Sequence, residues 1–193
     1  MMSALTRRLA RCAVALIVAM ATLGSIAHAQ APADEAQVKA AFVFNFLKFI
    51  DWPADAFVSP RDSLIVGIVG KTPTAEAVAS LLDGKQVNSR ALAIRRFGED
   101  ESIVGVHAVF IGDSNQTRAQ RILDATETAT VLSIGEGNGF ATRGGTIGLL
   151  VEAQRVRFEI NTDVAQAARL KISSKLLALA KVVHSRTREQ TAP

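Results

Sequence analysis

The chain has 193 residues, with 22 Lys and Arg against 18 Asp and Glu, a single cysteine and no tyrosine. That length suits one domain with its own hydrophobic core. A formal charge of +4 is too small to mark a nucleic-acid-binding surface, and the surplus sits almost entirely at the start of the chain.

Residues 1–29 carry Arg7, Arg8 and Arg11, then an apolar run over 13–26, then Ala27-His28-Ala29 as a small-x-small site. This pattern predicts a cleavable signal peptide over 1–29 and export to the periplasm. The apolar run is too short for a membrane span. Cys12 and His28 leave with the leader, and the remainder, about 164 residues, is nearly charge-balanced and has no cysteine. Such a chain has no disulfide to draw on and depends on packing.

Residues 34–50 have helical character, with Asp34 and Glu35 suited to a first turn and a narrow polar stripe of Gln37, Ala41, Asn45 and Lys48. Residues 63–70, "SLIVGIVG", read as a strand buried on both faces. Over 72–84, Thr72 suits a cap, Pro73 a first helical position and Gly84 a helix end. Residues 85–97 alternate as one strand, 106–112 read as a buried strand, 114–126 as an amphipathic helix and 129–135 as a third buried strand. "TIGLLVE" and "RVRFEIN" then form an antiparallel hairpin with its turn at Ala153. Residues 162–185 read as helix, and 185–193 as a flexible basic tail. The fold class is therefore α/β: one domain over 34–184, a mixed β-sheet with an antiparallel hairpin near the C-terminal end, and helices on both faces.

No motif carries a chemistry. "GIVGKTPT" (67–74) has a Gly-Lys-Thr after a strand, but Ile65 stands where a phosphate loop needs its first glycine. The glycines of 135–145 lack dinucleotide spacing, and a strand rather than a long helix follows them. His107 and His184 are isolated, Ser173-Ser174-Lys175 is not a Ser-x-x-Lys array, and no tight carboxylate or histidine cluster suggests a metal. The sequence thus predicts no catalytic residues, no metal and no cofactor. If a ligand binds, the carboxyl ends of the strands are its expected place, with Lys71, Asn138 and Arg143 as the pocket.

The segment 40–53, "AAFVFNFLKFIDWP", is the least ordinary stretch. Asn45, Lys48 and Pro53 exclude a membrane span. A helix this apolar must be covered on more than one side, either by the sheet and a C-terminal helix or, in part, by another protein. The candidate contact residues are Phe42, Phe46, Lys48, Phe49, Asp51 and Trp52.

"VKAAFVFNFLKFIDWP", "LIVGIVGKTP", "LLDGKQVNSRALAIRRF", "VHAVFIG", "VLSIGEGNGFATRGGTIGLL", "VRFEIN" and "ARLKISSKLLALAKVV" occur in the order found in the YfiR-like family of small periplasmic proteins. The chain resembles that family from about Asp34 to Val183. The resemblance implies a non-catalytic negative regulator that binds the periplasmic part of an inner-membrane diguanylate cyclase and lowers cyclic-di-GMP signalling. It also implies an outer-membrane lipoprotein as a second partner, and a homodimer. A periplasmic small-molecule binding module is the alternative. Redox-sensitive members carry cysteines at positions matching Gly67 and Val106. Here both are absent together, which sets aside thiol control.

Overall fold

Apolar strands that read as buried on both faces require helices on both sides, and this chain supplies them. The computed structural model describes residues 35–98, 101–112 and 115–185, so the expected leader and all but the first residue of the basic tail lie outside the described residues.

In chain order the elements are α1 (Glu35–Lys48), β1 (Ile50–Asp51), a 3-10 turn (Ala54–Ala56), β2 (Leu64–Val69), α2 (Pro73–Leu82), β3 (Gln86–Val87), β4 (Arg90–Phe97) and β5 (Ala108–Ile111). They continue with α3 (Gln116–Thr126), β6 (Leu132–Glu136), a second 3-10 turn (Ala141–Arg143), β7 (Ile147–Glu152), β8 (Arg155–Asn161), α4 (Thr162–Ala167), β9 (Lys171–Ile172), α5 (Ser174–Leu177) and β10 (Lys181–Val183).

Among the described residues an eight-stranded sheet has the order β10-β8-β7-β6-β5-β2-β4-β3, and β1 and β9 form a separate two-stranded ribbon. The centre of the sheet, β4-β2-β5-β6-β7, is parallel. β7 and β8 make the expected antiparallel hairpin, with Leu149 opposite Phe158 and Val151 opposite Val156. The fold class expected from the sequence, a mixed sheet with a C-terminal hairpin, is what the chain adopts.

Two cores flank the sheet. On one face α1 and α2 bury Ala40, Val43, Phe46, Leu47, Val78 and Leu82 against Val66, Ile68, Phe110, Ile134, Leu149 and Ile160. On the other face α3 buries Ile122 and Leu123 with Val69, Phe97, Val109, Ile111 and Phe140. Glycine is required where Phe140 folds back over the sheet: a side chain at Gly135 or Gly145 would overlap its ring.

The helix starts follow the sequence. Thr72 caps α2 by accepting from the Ala75 N–H at 3.2 Å, ahead of Pro73. Asn115 caps α3 through the Arg118 N–H at 3.1 Å.

Two expectations are corrected. Residues 85–97 are not one strand but a hairpin of β3 and β4 turning at Asn88-Ser89, both at positive φ. Residues 162–185 are not one helix either. Arg169 takes φ 58° and stops α4, with the Leu170 N–H donating back to the Ala165 carbonyl at 2.9 Å. Lys171 and Ile172 then pair with β1, Ser173 caps the single turn of α5, and Lys181–Val183 adds β10 alongside β8. Arginine carries no turn signal comparable to glycine, and the unpaired edge of β8 recruits a strand where local propensity favours helix.

Candidate functional site

In doubly wound sheets a ligand sits beyond the carboxyl ends of the strands, where the strand order reverses. Here that place is between β2 and β5. It is filled from within. A Cβ on Gly112, just after β5, would fall 2.6 Å from Thr72 Oγ1 and 2.9 Å from the Ala75 Cβ, so the two loops are already in contact.

Glu136, at the end of β6, completes the closure. Its Oε2 accepts from Lys39 Nζ at 2.7 Å and from Thr74 Oγ1 at 3.0 Å, and its Oε1 accepts from Thr72 Oγ1 at 3.3 Å. Lys39 Nζ also lies 2.6 Å from Glu35 Oε1, one turn back on α1. Lys39 is 7% exposed. Burial alone would lower its pKa, but the hydrogen bonds and charges of Glu136 and Glu35 outweigh it and hold the ammonium above its ordinary value. A cation on the otherwise apolar side of α1 was the sequence signal for this plug, and its partner, 97 residues away, was not legible there.

The residues expected to form a pocket here are only partly together. Asn138 and Arg143 line a cleft of about 180 Å³ with Glu136 and Phe140, and Arg143 Nη1 donates to the Asn138 carbonyl at 3.0 Å. Lys71 is exposed on the loop after β2 and does not line that cleft. The volume falls below the roughly 300–1,000 Å³ usual for small-molecule sites.

At the opposite end of the sheet, the exit of α1 presents the other candidate residues. Phe46 is fully buried and Phe42 half-buried. Their rings meet Phe158 of β8 at centroid distances of 4.9 and 5.7 Å, so they fasten α1 to the hairpin. Lys48, Phe49 and Asp51 are exposed. Lys48 lies 4.0 Å over the Phe44 ring and donates to Asn45 Oδ1 at 3.3 Å. Phe49, 38% exposed, is held by its backbone, whose carbonyl accepts from the Ser173 N–H at 2.9 Å. Asp51 sits opposite Lys171 across the β1–β9 ribbon. Beside that ribbon lies a groove of about 380 Å³ lined by Ala165, Arg169, Leu170, Lys171, Ile172 and Leu177 among others.

Trp52 is anchored rather than free. Its Nε1 donates to the His107 carbonyl at 2.9 Å, and its half-buried ring packs on the main core. His107 in turn fixes the strap that joins β1 to β2. Its Nδ1 accepts from the Ile65 N–H at 3.0 Å, which leaves Nε2 to carry the proton and donate to the Ala56 carbonyl at 3.0 Å. Phe57 stacks on the imidazole at 4.4 Å and Arg90 covers Phe57 at 3.7 Å. Burial pushes the His107 pKa down, and Arg90 adds to the shift against the opposing pull of the Ala56 carbonyl and Asp62. Both ring nitrogens serve the fold. The other histidine of the domain, His184, is exposed and pairs with Asp163 at 2.9 Å. Among the described residues no group of three or more His, Cys, Asp or Glu side chains is placed to hold a metal ion.

The fold and these sites define a class: a doubly wound α/β domain whose strand-end crevice is stoppered by its own side chains, with its exposed apolar and charged features on the rim. The chain belongs to the YfiR/HmsC-like family, which matches it over residues 36–181. No curated protein matches the sequence. Among solved structures, the ABC domain in complex with L-Trp from Streptococcus pneumonia is similar with a TM-score of 0.49 at 9% identity, over 77% of this chain. This chain spans 60% of the length of that one. Gly67 and Val106 are neighbours here: a Cβ on Gly67 would lie 3.3 Å from Val106 Cγ1 and 2.9 Å from the Phe97 ring, which occupies the space.

Proposed function

We propose that this protein is a periplasmic, non-catalytic regulator that binds the periplasmic part of an inner-membrane diguanylate cyclase and lowers cyclic-di-GMP synthesis. Membership of the YfiR/HmsC-like family supports the reading, because the family's characterised members are inhibitory partners of such cyclases. The structural observation that carries it is the contrast between the two ends of the sheet. The ligand crevice is closed by Lys39, Glu136, Thr72 and Thr74, whereas Lys48, Phe49 and Asp51 stand exposed on a turn braced by β9 and by Trp52. An apolar ring between two charges on a rigid turn suits a protein partner. No described helix is long and apolar enough to cross a membrane, which accords with a domain that meets its partner outside the bilayer. In this reading the leader 1–29 is cleaved on export, the protein acts as a homodimer, and an outer-membrane lipoprotein competes for it.

The test is capture from envelope extract with the processed chain, followed by assay of cyclic-di-GMP synthesis by the recovered enzyme. A cyclase should be recovered and its product should fall when the protein is added. Lys48→Glu and Phe49→Asp should weaken recovery without a change in melting temperature. Recovery of no cyclase, or synthesis unaffected by the protein, overturns the proposal. The second reading, a small-molecule binding module, draws on the groove of about 380 Å³ beside the ribbon, whose size falls within the usual range. A thermal shift produced by a small-molecule fraction of envelope extract and abolished by Leu170→Asp would favour it.

A further inference from the structure

The β7–β8 hairpin runs past the end of β6, whose last residue Glu136 already pairs with Leu149, so Leu150 to Glu152 and their partners Arg155 to Arg157 project beyond the sheet. The outer edge of β8 is only half covered, because β10 pairs with Glu159, Ile160 and Asn161 and goes no further. The direction of the open groups follows from the ladder. The Asn161 N–H donates to the Thr146 carbonyl, toward β7. Backbone groups alternate sides along a strand, so those of Val156 point to the outer edge, where no described strand pairs with it.

The side chains flanking this edge alternate in character. Val156 stands opposite Val151, 43% exposed, on the face that continues the main core. Arg155 and Arg157 stand on the other face, both exposed, and neither makes an ion pair with another described residue closer than 4.0 Å. The turn that carries them is strained: Ala153 and Gln154 take φ values of 48° and 59°, the left-handed region that non-glycine residues avoid.

We infer that the outer edge of β8 at Arg155–Phe158 receives an extended acidic segment of a partner protein by strand addition. Main-chain bonds to Val156 would give the pairing, and the side chains on alternate faces would give the selectivity. Acidic side chains at every second position meet Arg155 and Arg157, and apolar ones between them meet Val156. This surface is separate from the exit of α1, and the inference does not depend on the cyclase reading.

The probe is a capped heptapeptide of alternating Glu and Val, titrated into the purified protein while backbone amide resonances are followed. Amides of residues 155–158 should shift. Binding should weaken with added salt, as exposed charge pairs do, and the same peptide with Lys for Glu should not bind. The double variant Arg155→Glu, Arg157→Glu should bind at least about tenfold more weakly at unchanged melting temperature. Val156→Pro should abolish binding by removing the outward N–H, and the arginine variants carry the test if that one unfolds. Equal binding of the lysine peptide, an unperturbed 155–158 segment at saturation, or wild-type affinity in the arginine variants overturns the inference.

Discussion

Replacing Lys39 by methionine keeps the length of the side chain and removes the charge that closes the strand-end crevice. Glu136 then keeps only the hydroxyls of Thr74 at 3.0 Å and Thr72 at 3.3 Å in place of an ammonium at 2.7 Å. Removing one partner of a buried pair costs about 3–5 kcal/mol. The Glu136 side chain retains 22% of its exposure, so a cost of roughly 2–4 kcal/mol is expected here. For a domain of this size that is a loss of about 4–16 °C in melting temperature, at some 2–4 °C per kcal/mol. Glu136→Gln should cost less, because Lys39 keeps Glu35, whose carboxylate is 56% exposed and hydrated. The double variant should be less destabilised than the sum of the two by at least about 1 kcal/mol, since the substitutions share one contact. Denaturant unfolding of all four proteins at neutral pH measures the cycle. A Lys39→Met variant within about 0.5 kcal/mol of the parent, or strict additivity, would show that the plug contributes nothing beyond its volume.

Phe46→Ala should cost about 3–5 kcal/mol, because the ring is fully buried between Phe42 and Phe158; a change below about 1 kcal/mol by denaturant unfolding would contradict that placement. The pair Ala153→Asn, Gln154→Gly should raise stability by about 1 kcal/mol by relieving two left-handed residues, which thermal unfolding will register as a gain or refute as a loss. His107 has a lowered pKa in the fold, so the unfolded chain binds the proton more readily. Its contribution is therefore complete above the ordinary value near 6.5 and is lost as pH falls below it. Melting temperature should drop more steeply between about pH 7 and 5 in the parent than in His107→Asn, and equal slopes would refute the assignment. With Cys12 the chain's sole cysteine, the protein processed near Ala29 should melt at the same temperature with and without dithiothreitol.

The strands of the parallel centre were legible because runs such as 63–70 and 106–112 are too apolar to be anything but doubly covered. The hairpin of β7 and β8 announced itself by alternation. What stayed hidden depends on partners distant in sequence. Residues 162–185 have helical composition, and only the need to pair β1 and β8 draws β9 and β10 out of them. Trp52 stands before a proline at the end of a helix and reads as a projecting anchor. Its indole instead turns inward to a carbonyl 55 residues away. Lys39 could be flagged as a misplaced charge, but nothing local names Glu136. Among the candidate contact residues, the helical reading of 34–50 put Phe49 on one face with Phe42 and Phe46, whereas the helix ends at Lys48 and leaves Phe49 exposed while Phe46 serves the interior.

The two fastenings of α1 have a mechanical consequence. Lys39 pins one end to Glu136, while Phe49 and Ile50, just past the other end, are bonded to the β9 segment. Between Lys39 and Phe49 the helix spans about 15 Å, at 1.5 Å per residue. A beam held at both ends cannot rotate freely under a load applied at one of them. Force exerted on the Lys48–Asp51 turn therefore has a continuous path along the helix to the Lys39–Glu136 contact.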